Sequence, residues 1–242
     1  MHPRETHTST TWLTTTLNAK YIFFHVERTA GTYLRQLLFE YYGWDTGIVY
    51  AHYNLWDGRP TLKPFVESEE IAKAQVIIGH EVYYGMHEVI KEPCYYVVFL
   101  REPMERMQSL WNHIRVIETR AGNAAPEFDV WFRHYQIATQ VWSLDKEVST
   151  LERAKEIVSN TSFIGLTETK REDVYQLLHI YPDTPPQNTT EVWTRKSGIP
   201  PVIFNSEQTA RVMAVLDEDY KLYKLAKELR MNGHNKGFRL PL

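Results

Sequence analysis

Four short runs in this chain are apolar at nearly every position instead of at every second one. They are Tyr21 to Val26 (YIFFHV), the AQVIIGH segment ending at His80, Tyr95 to Leu100 (YYVVFL), and the SFIGL segment around Gly165. Strands covered on both faces read this way, whereas strands with one wet face alternate. Helical spacing separates the runs: Tyr33, Leu34, Leu37, Leu38 and Tyr41 recur at i, i+4 and i+8, and further helical patterns cover Glu127 to Gln140, Leu151 to Ser159 and EDVYQLLHIY. Ser149 and Glu152 form a predicted capping box for the Leu151 helix. Pro103 predicts a helix start after the third strand, at a position where its missing N–H costs nothing. Two helices are predicted between Ser206 and Arg230. Gly43 to Pro64, and the proline-rich Pro182 to Phe204, have no periodicity and read as irregular. The alternation predicts an α/β fold, a parallel sheet flanked by helices on both faces with ligands at the carboxyl ends of the strands. No repeat or linker divides the chain, so residues 1–18 are expected to be a loose N-terminal segment and residues 19–242 one domain.

Composition narrows the setting. Of 242 residues, 43% are hydrophobic and 24% charged, which disfavours a disordered or fibrous chain. A net charge of −3 gives no global pull toward nucleic acid or an anionic membrane, so neither is an expected partner, and any anion site has to be built locally. Cys94 stands alone, which excludes an intramolecular disulfide and a cysteine-rich metal centre. With a polar N-terminal segment and no run of about 18 apolar residues, the expected compartment is the cytoplasm, where the Asn160 and Asn188 sequons are chance matches.

The candidate chemistry lies where strands meet helices. His25 to Arg35, HVERTAGTYLR, sets small and hydroxyl residues between the first strand and its helix, where backbone N–H groups and the helix dipole suit a phosphate or sulfate. A tight turn with a capping Thr fits the segment equally well. The spacing is not that of a Walker A loop: no Gly-Lys-Ser/Thr is present to hold magnesium, which disfavours a metal-assisted NTPase. A second segment, Phe99 to Trp111 (FLREPMERMQSLW), puts Arg101 at a strand's carboxyl end and Ser109 one turn beyond Arg106. A guanidinium fork and a hydroxyl can converge there on a dianionic phosphate. Arg106 itself reads as an exposed first-turn cation paired with Glu102 at i, i+4.

Together these segments resemble the two nucleotide-binding signatures of the carbohydrate sulfotransferases of the heparan and chondroitin type, H-x-P-K-T-[GA]-G-T and F-L-R-[DE]-P-x-x-R-x-x-S. The resemblance continues in order through IIGHEVYYGMH, similar to the segment that carries the family's catalytic base. It extends through FIGLTETKREDVYQLL to DEDYKLYKLA, covering about Tyr21 to Leu229. The family's Pro-Lys is Glu27-Arg28 here. Arg28 keeps a cation but not the shape or hydration of lysine, and Glu27 sets a negative charge beside an anion loop, so it is expected to point away from it.

The resemblance implies a P-loop-like sulfotransferase fold and transfer of a sulfuryl group from 3′-phosphoadenosine 5′-phosphosulfate (PAPS) to an acceptor hydroxyl, with no metal. It implies that Arg28 and the backbone of Thr29, Ala30, Gly31, Thr32 and Tyr33 hold the 5′-phosphosulfate, Arg28 also neutralising the sulfuryl group, while Arg101 and Ser109 hold the 3′-phosphate. His80, ending a strand, is the chosen general base over a structural histidine, since imidazole accepts a proton near neutral pH. His25 reads as structural within its strand, with His52 and His87 in reserve. Leu166 and Thr167 are candidates for the adenine pocket. Arg195 and Lys196, in the long loop, either close over the 3′-phosphate or form a solvated basic turn. The aromatics between Tyr41 and Trp56 either frame the acceptor or belong to the core. The acceptor is a glycan or a small hydroxylated molecule, and the chain's small size favours the latter. The rival readings are a P-loop kinase and a non-catalytic nucleotide-binding protein of the same fold.

Overall fold

The computed structural model describes residues 19–42, 48–51, 69–80, 82–145, 148–178, 200–238 and 240. The expected N-terminal segment, His52, Arg195 and Lys196 lie outside these residues, as does most of the proline-rich loop. Five parallel strands form one sheet: β1 (Lys20–Phe24), β2 (Ile48–Ala51), β3 (Val76–Gly79), β4 (Cys94–Leu100) and β5 (Phe163–Leu166), in spatial order β2-β3-β1-β4-β5. Among the described residues ten α-helices surround it: α1 (Gly31–Tyr42), α2 (Glu69–Lys73), α3 (Met86–Val89), α4 (Pro103–Arg120), α5 (Phe128–Tyr135), α6 (Gln140–Leu144), α7 (Leu151–Asn160), α8 (Lys170–Leu178), α9 (Ser206–Met213) and α10 (Asp217–Met231). None of them is long and apolar enough to cross a membrane.

The continuous apolar runs are explained by two cores, one on each face of the sheet. Ile22, Phe24, Tyr96, Val98 and Ile164 point to one face, where α6, α7 and α10 pack. Their neighbours Tyr21, Phe23, Val97, Phe99 and Phe163 point to the other, against α1 and α8. Each fully buried aliphatic or aromatic side chain contributes roughly 1.5–3 kcal/mol relative to exposure, so strands apolar on both sides are selected for the sheet's centre. A third cluster joins α4, α5 and α9 around Trp111, Phe128 and Trp131.

Three sequence expectations change. β2 is a strand inside the segment read as irregular; at four residues, between glycine, tryptophan and aspartate, it is too short to carry a period. The predicted Glu127–Gln140 helix is two helices. α5 ends at Tyr135, and Thr139 caps α6 by accepting from Trp142 N at 3.1 Å. The cap of α7 is Thr150, one residue beyond the predicted Ser149; its hydroxyl accepts from Arg153 N at 3.2 Å.

Topology fixes where a ligand fits. From β1 the chain runs through α1, on one face, to β2 on one side of the sheet. From β4 it returns through α7, on the opposite face, to β5 on the other side. Connections that diverge in this way open a crevice between the carboxyl ends of β1 and β4. Two side-chain amides complete the ladders nearby. Asn235 bonds both N and O of Ile164 on the edge strand, at 2.9 and 2.8 Å, and Gln140 does the same for Arg101 just past β4, at 2.9 Å each.

Candidate functional site

The residues that directly follow β3, β1, β4 and β5 are His80, His25, Arg101 and Thr167, so strand order sets them side by side along one edge. His25 lies just past the end of β1 and not inside it, which corrects the sequence reading; its N–H still donates to Gly79 O at 3.1 Å. That bond carries its ring to the sheet's edge, where it stacks on His80, centroids 4.0 Å apart and planes 20° apart. His25 also covers Gly31: a Cβ there would lie 1.8 Å from His25 Cδ2. Glycine is required at position 31 by this close approach.

The turn of residues 27–30 sits between His25 and α1. Arg28 (φ 66°) and Ala30 (φ 71°) are both left-handed, uncommon for side-chain-bearing residues. Alternating left-handed and right-handed backbone makes a concavity of N–H groups suited to an anion. Thr29, fully buried, locks the turn: its hydroxyl donates to Val26 O at 2.8 Å. The first bond of α1 is Leu34 N to Ala30 O at 3.0 Å, so the amides of Gly31, Thr32 and Tyr33 precede the intrahelical ladder and carry the positive end of its dipole.

The second signature meets this turn directly. Arg28 Nε donates to Ser109 Oγ at 3.1 Å, across 81 residues of sequence, and Arg101 Nη1 approaches Arg28 O at 3.5 Å. Arg101 also has an ion pair with the exposed Glu105 at 3.4 Å. Arg106 overturns its sequence reading. It is not an exposed partner of Glu102 but is fully buried, and its Nε donates to Glu27 O at 2.9 Å and its Nη1 to Ala138 O at 2.6 Å. The break between α5 and α6 leaves the Ala138 carbonyl outside a helical ladder, where the guanidinium reaches it.

Behind Gln140 stands Asp219, which is 1% exposed. Its two oxygens accept from Gln140 N and Val141 N at 2.9 and 3.0 Å, a carboxylate at the positive end of α6. Burial pushes the Asp219 carboxyl above its ordinary range, against the opposing pull of Arg106 and the two amides. Burial, followed by the Glu27 carboxylate, does the same to the Tyr135 phenol.

No protein-family model matches this chain, and no curated protein does.

Residue by residue, the structure brings Arg28, Thr29, Ala30, Gly31, Thr32, Tyr33, Arg101 and Ser109 into one corner, with His80 one strand away from β1. The side chain of Leu166 is buried in the core beneath the edge, and Thr167 donates its hydroxyl to Leu100 O at 3.2 Å. His87 belongs elsewhere. Its backbone N and Nδ1 meet the Tyr96 hydroxyl at 3.1 and 3.0 Å, near the start of β4 and about 16 Å of strand from Arg101. Sequence reasoning missed His25, Gln140 and Asp219 as parts of the site. For His25 the signal was present, since His25 opens the HVERTAGTYLR segment, two residues before the polar turn. For Gln140 and Asp219 there was none, because each acts across 39 and 79 residues, respectively.

Proposed function

We propose that this chain is a sulfotransferase with a P-loop-like fold, moving a sulfuryl group from PAPS to the hydroxyl of a small-molecule or glycan acceptor. The observation that carries the reading is the meeting of the two signature segments: the left-handed turn after β1 and the Arg101–Ser109 segment after β4 converge on one corner, joined by the Arg28–Ser109 hydrogen bond. A second observation supports an anion there. Arg101 Nε is buried, and among the described residues it has no hydrogen-bond partner. Such a donor costs about 1–3 kcal/mol unless something accepts from it, and a phosphate oxygen would.

When bound, the nucleotide supplies the sulfuryl group and leaves as adenosine 3′,5′-bisphosphate. The amides from Ala30 to Tyr33 face the 5′ end, and Arg101 and Ser109 take the 3′-phosphate, which separates this donor from ATP. Arg28 is the cation next to both. His80 accepts the proton of the acceptor hydroxyl as its oxygen attacks sulfur in line with the breaking S–O bond. Positioned donors and cations then stabilise charge spread over the equatorial oxygens.

A thermal-shift assay tests the reading. At about a hundredfold excess over its Kd, adenosine 3′,5′-bisphosphate is expected to raise Tm by about 5–10 °C without magnesium, and ATP much less. A magnesium-dependent preference for ATP would select a kinase instead.

A further inference from the structure

The Arg28–Ser109 contact gives the arginine a more specific task. Arg28 leaves a left-handed turn and sends its guanidinium off the loop to α4, where Nε donates to Ser109 Oγ. A hydroxyl has one donor hydrogen and two acceptor lone pairs. With a lone pair occupied by Arg28, Ser109 has its O–H to give to an anion, and donors aligned in series polarise one another. Lysine would have to make both contacts from one ammonium nitrogen, whereas arginine holds Ser109 with Nε and carries two further donor nitrogens on the same planar group.

The local charge agrees. Arg101 Nη1 lies 3.5 Å from the backbone carbonyl of Arg28, so two arginines meet at this turn, and the counter-ion the structure gives Arg101 is Glu105 at 3.4 Å, itself 59% exposed. Two adjacent cations suit a dianion, and a phosphate monoester is one near neutral pH.

Resting on the sulfotransferase reading, we infer that Arg28 is a ligand of the 3′-phosphate, forming a trio with Ser109 and Arg101, and that it sets the chain's preference for 3′-phosphorylated nucleotides. The 5′ end is then held mainly by the backbone amides of the turn and α1.

The test is a pair of calorimetric titrations, adenosine 3′,5′-bisphosphate and adenosine 5′-monophosphate, on the wild-type protein and on Arg28→Met, Arg28→Lys, Ser109→Ala and Arg28→Met/Ser109→Ala. Arg28→Met is expected to bind the bisphosphate about ten- to a hundredfold more weakly, the range of one charge-assisted contact, and the monophosphate within about twofold of wild type. The double variant is expected to be little weaker than Arg28→Met, because the two residues act through one hydrogen bond. Equal losses for both nucleotides would place Arg28 at the 5′ end and overturn the inference while leaving the sulfotransferase reading intact. A wild-type protein that does not prefer the bisphosphate over the monophosphate would overturn both. Should Arg28→Met unfold, Arg28→Lys decides alone. It keeps the charge but not the Nε donor, so a bisphosphate-specific loss supports the inference and unchanged affinity refutes it.

Discussion

Two neighbouring stretches of the sheet's carboxyl edge are held by different physics. At the β1–β4 crevice, side chains from α4, α6 and α10 are fastened by directional bonds: Arg106 to Glu27 O and Ala138 O, Gln140 to both backbone groups of Arg101, Asp219 to the amides of α6. At the β1–β3 step, two imidazoles lie face to face, and one of them, His25, packs against a glycine that has no Cβ to obstruct it. Hydrogen bonds fix where donors point, which a charged, multiply bonded ligand requires. Stacking fixes the planes of the two rings relative to each other. In the proposed function the directionally bonded corner takes the nucleotide and the imidazole edge takes the proton, and each is open to a different kind of perturbation.

The largest effect is expected at Arg106. Replacing it with Met takes the cation away from the Glu27 and Ala138 carbonyls and from the buried Asp219. Loss of a buried charge's partner costs about 3–5 kcal/mol, to be read from urea unfolding. A loss below about 1 kcal/mol would mean that the corner is not braced through this residue. Next is His80→Ala, expected to lower turnover about 10²–10⁴-fold while bisphosphate affinity stays near wild type. His80→Gln should do little better, because an amide can bond the hydroxyl but cannot take its proton. Normal turnover in both variants would move the base elsewhere, with His25 first in line because it shares the stack.

Smaller, and aimed at the stack itself, is Gly31→Ala. Its new methyl would fall 1.8 Å from the His25 ring, so the ring has to move. Overpacking of this kind costs about 1–3 kcal/mol of stability, and turnover should fall further than nucleotide affinity does. If affinity falls more than turnover, the glycine serves the anion loop and not the imidazoles.

The sequence made the sheet legible because a parallel strand buried on both faces has no polar positions to confuse its pattern. That held for YIFF, VIIG, YYVVFL and FIGL and failed for IVYA of β2, which is too short to stand out. The corner was legible as two motifs, since Arg101 and Ser109 sit at fixed offsets from a strand end. What braces it was not. Arg106 was taken for a surface cation from its i, i+4 spacing to Glu102, yet it shares the buried stripe of α4 with Met107, Leu110 and Trp111. That shared face was the available signal, outweighed by the charge of the residue type. Gln140 and Asp219 act through tertiary contacts that no local pattern encodes.

The central claim is that the β1–β4 corner binds a 3′-phosphorylated nucleotide, and Arg101 tests it most directly because its buried Nε awaits an acceptor. Calorimetric titration of wild type and Arg101→Ala with adenosine 3′,5′-bisphosphate, without magnesium, is the measurement. The account predicts binding to the wild type and a loss of about 1.5–3 kcal/mol in the variant. Equal affinity in the two proteins would remove Arg101 from the site and contradict the account.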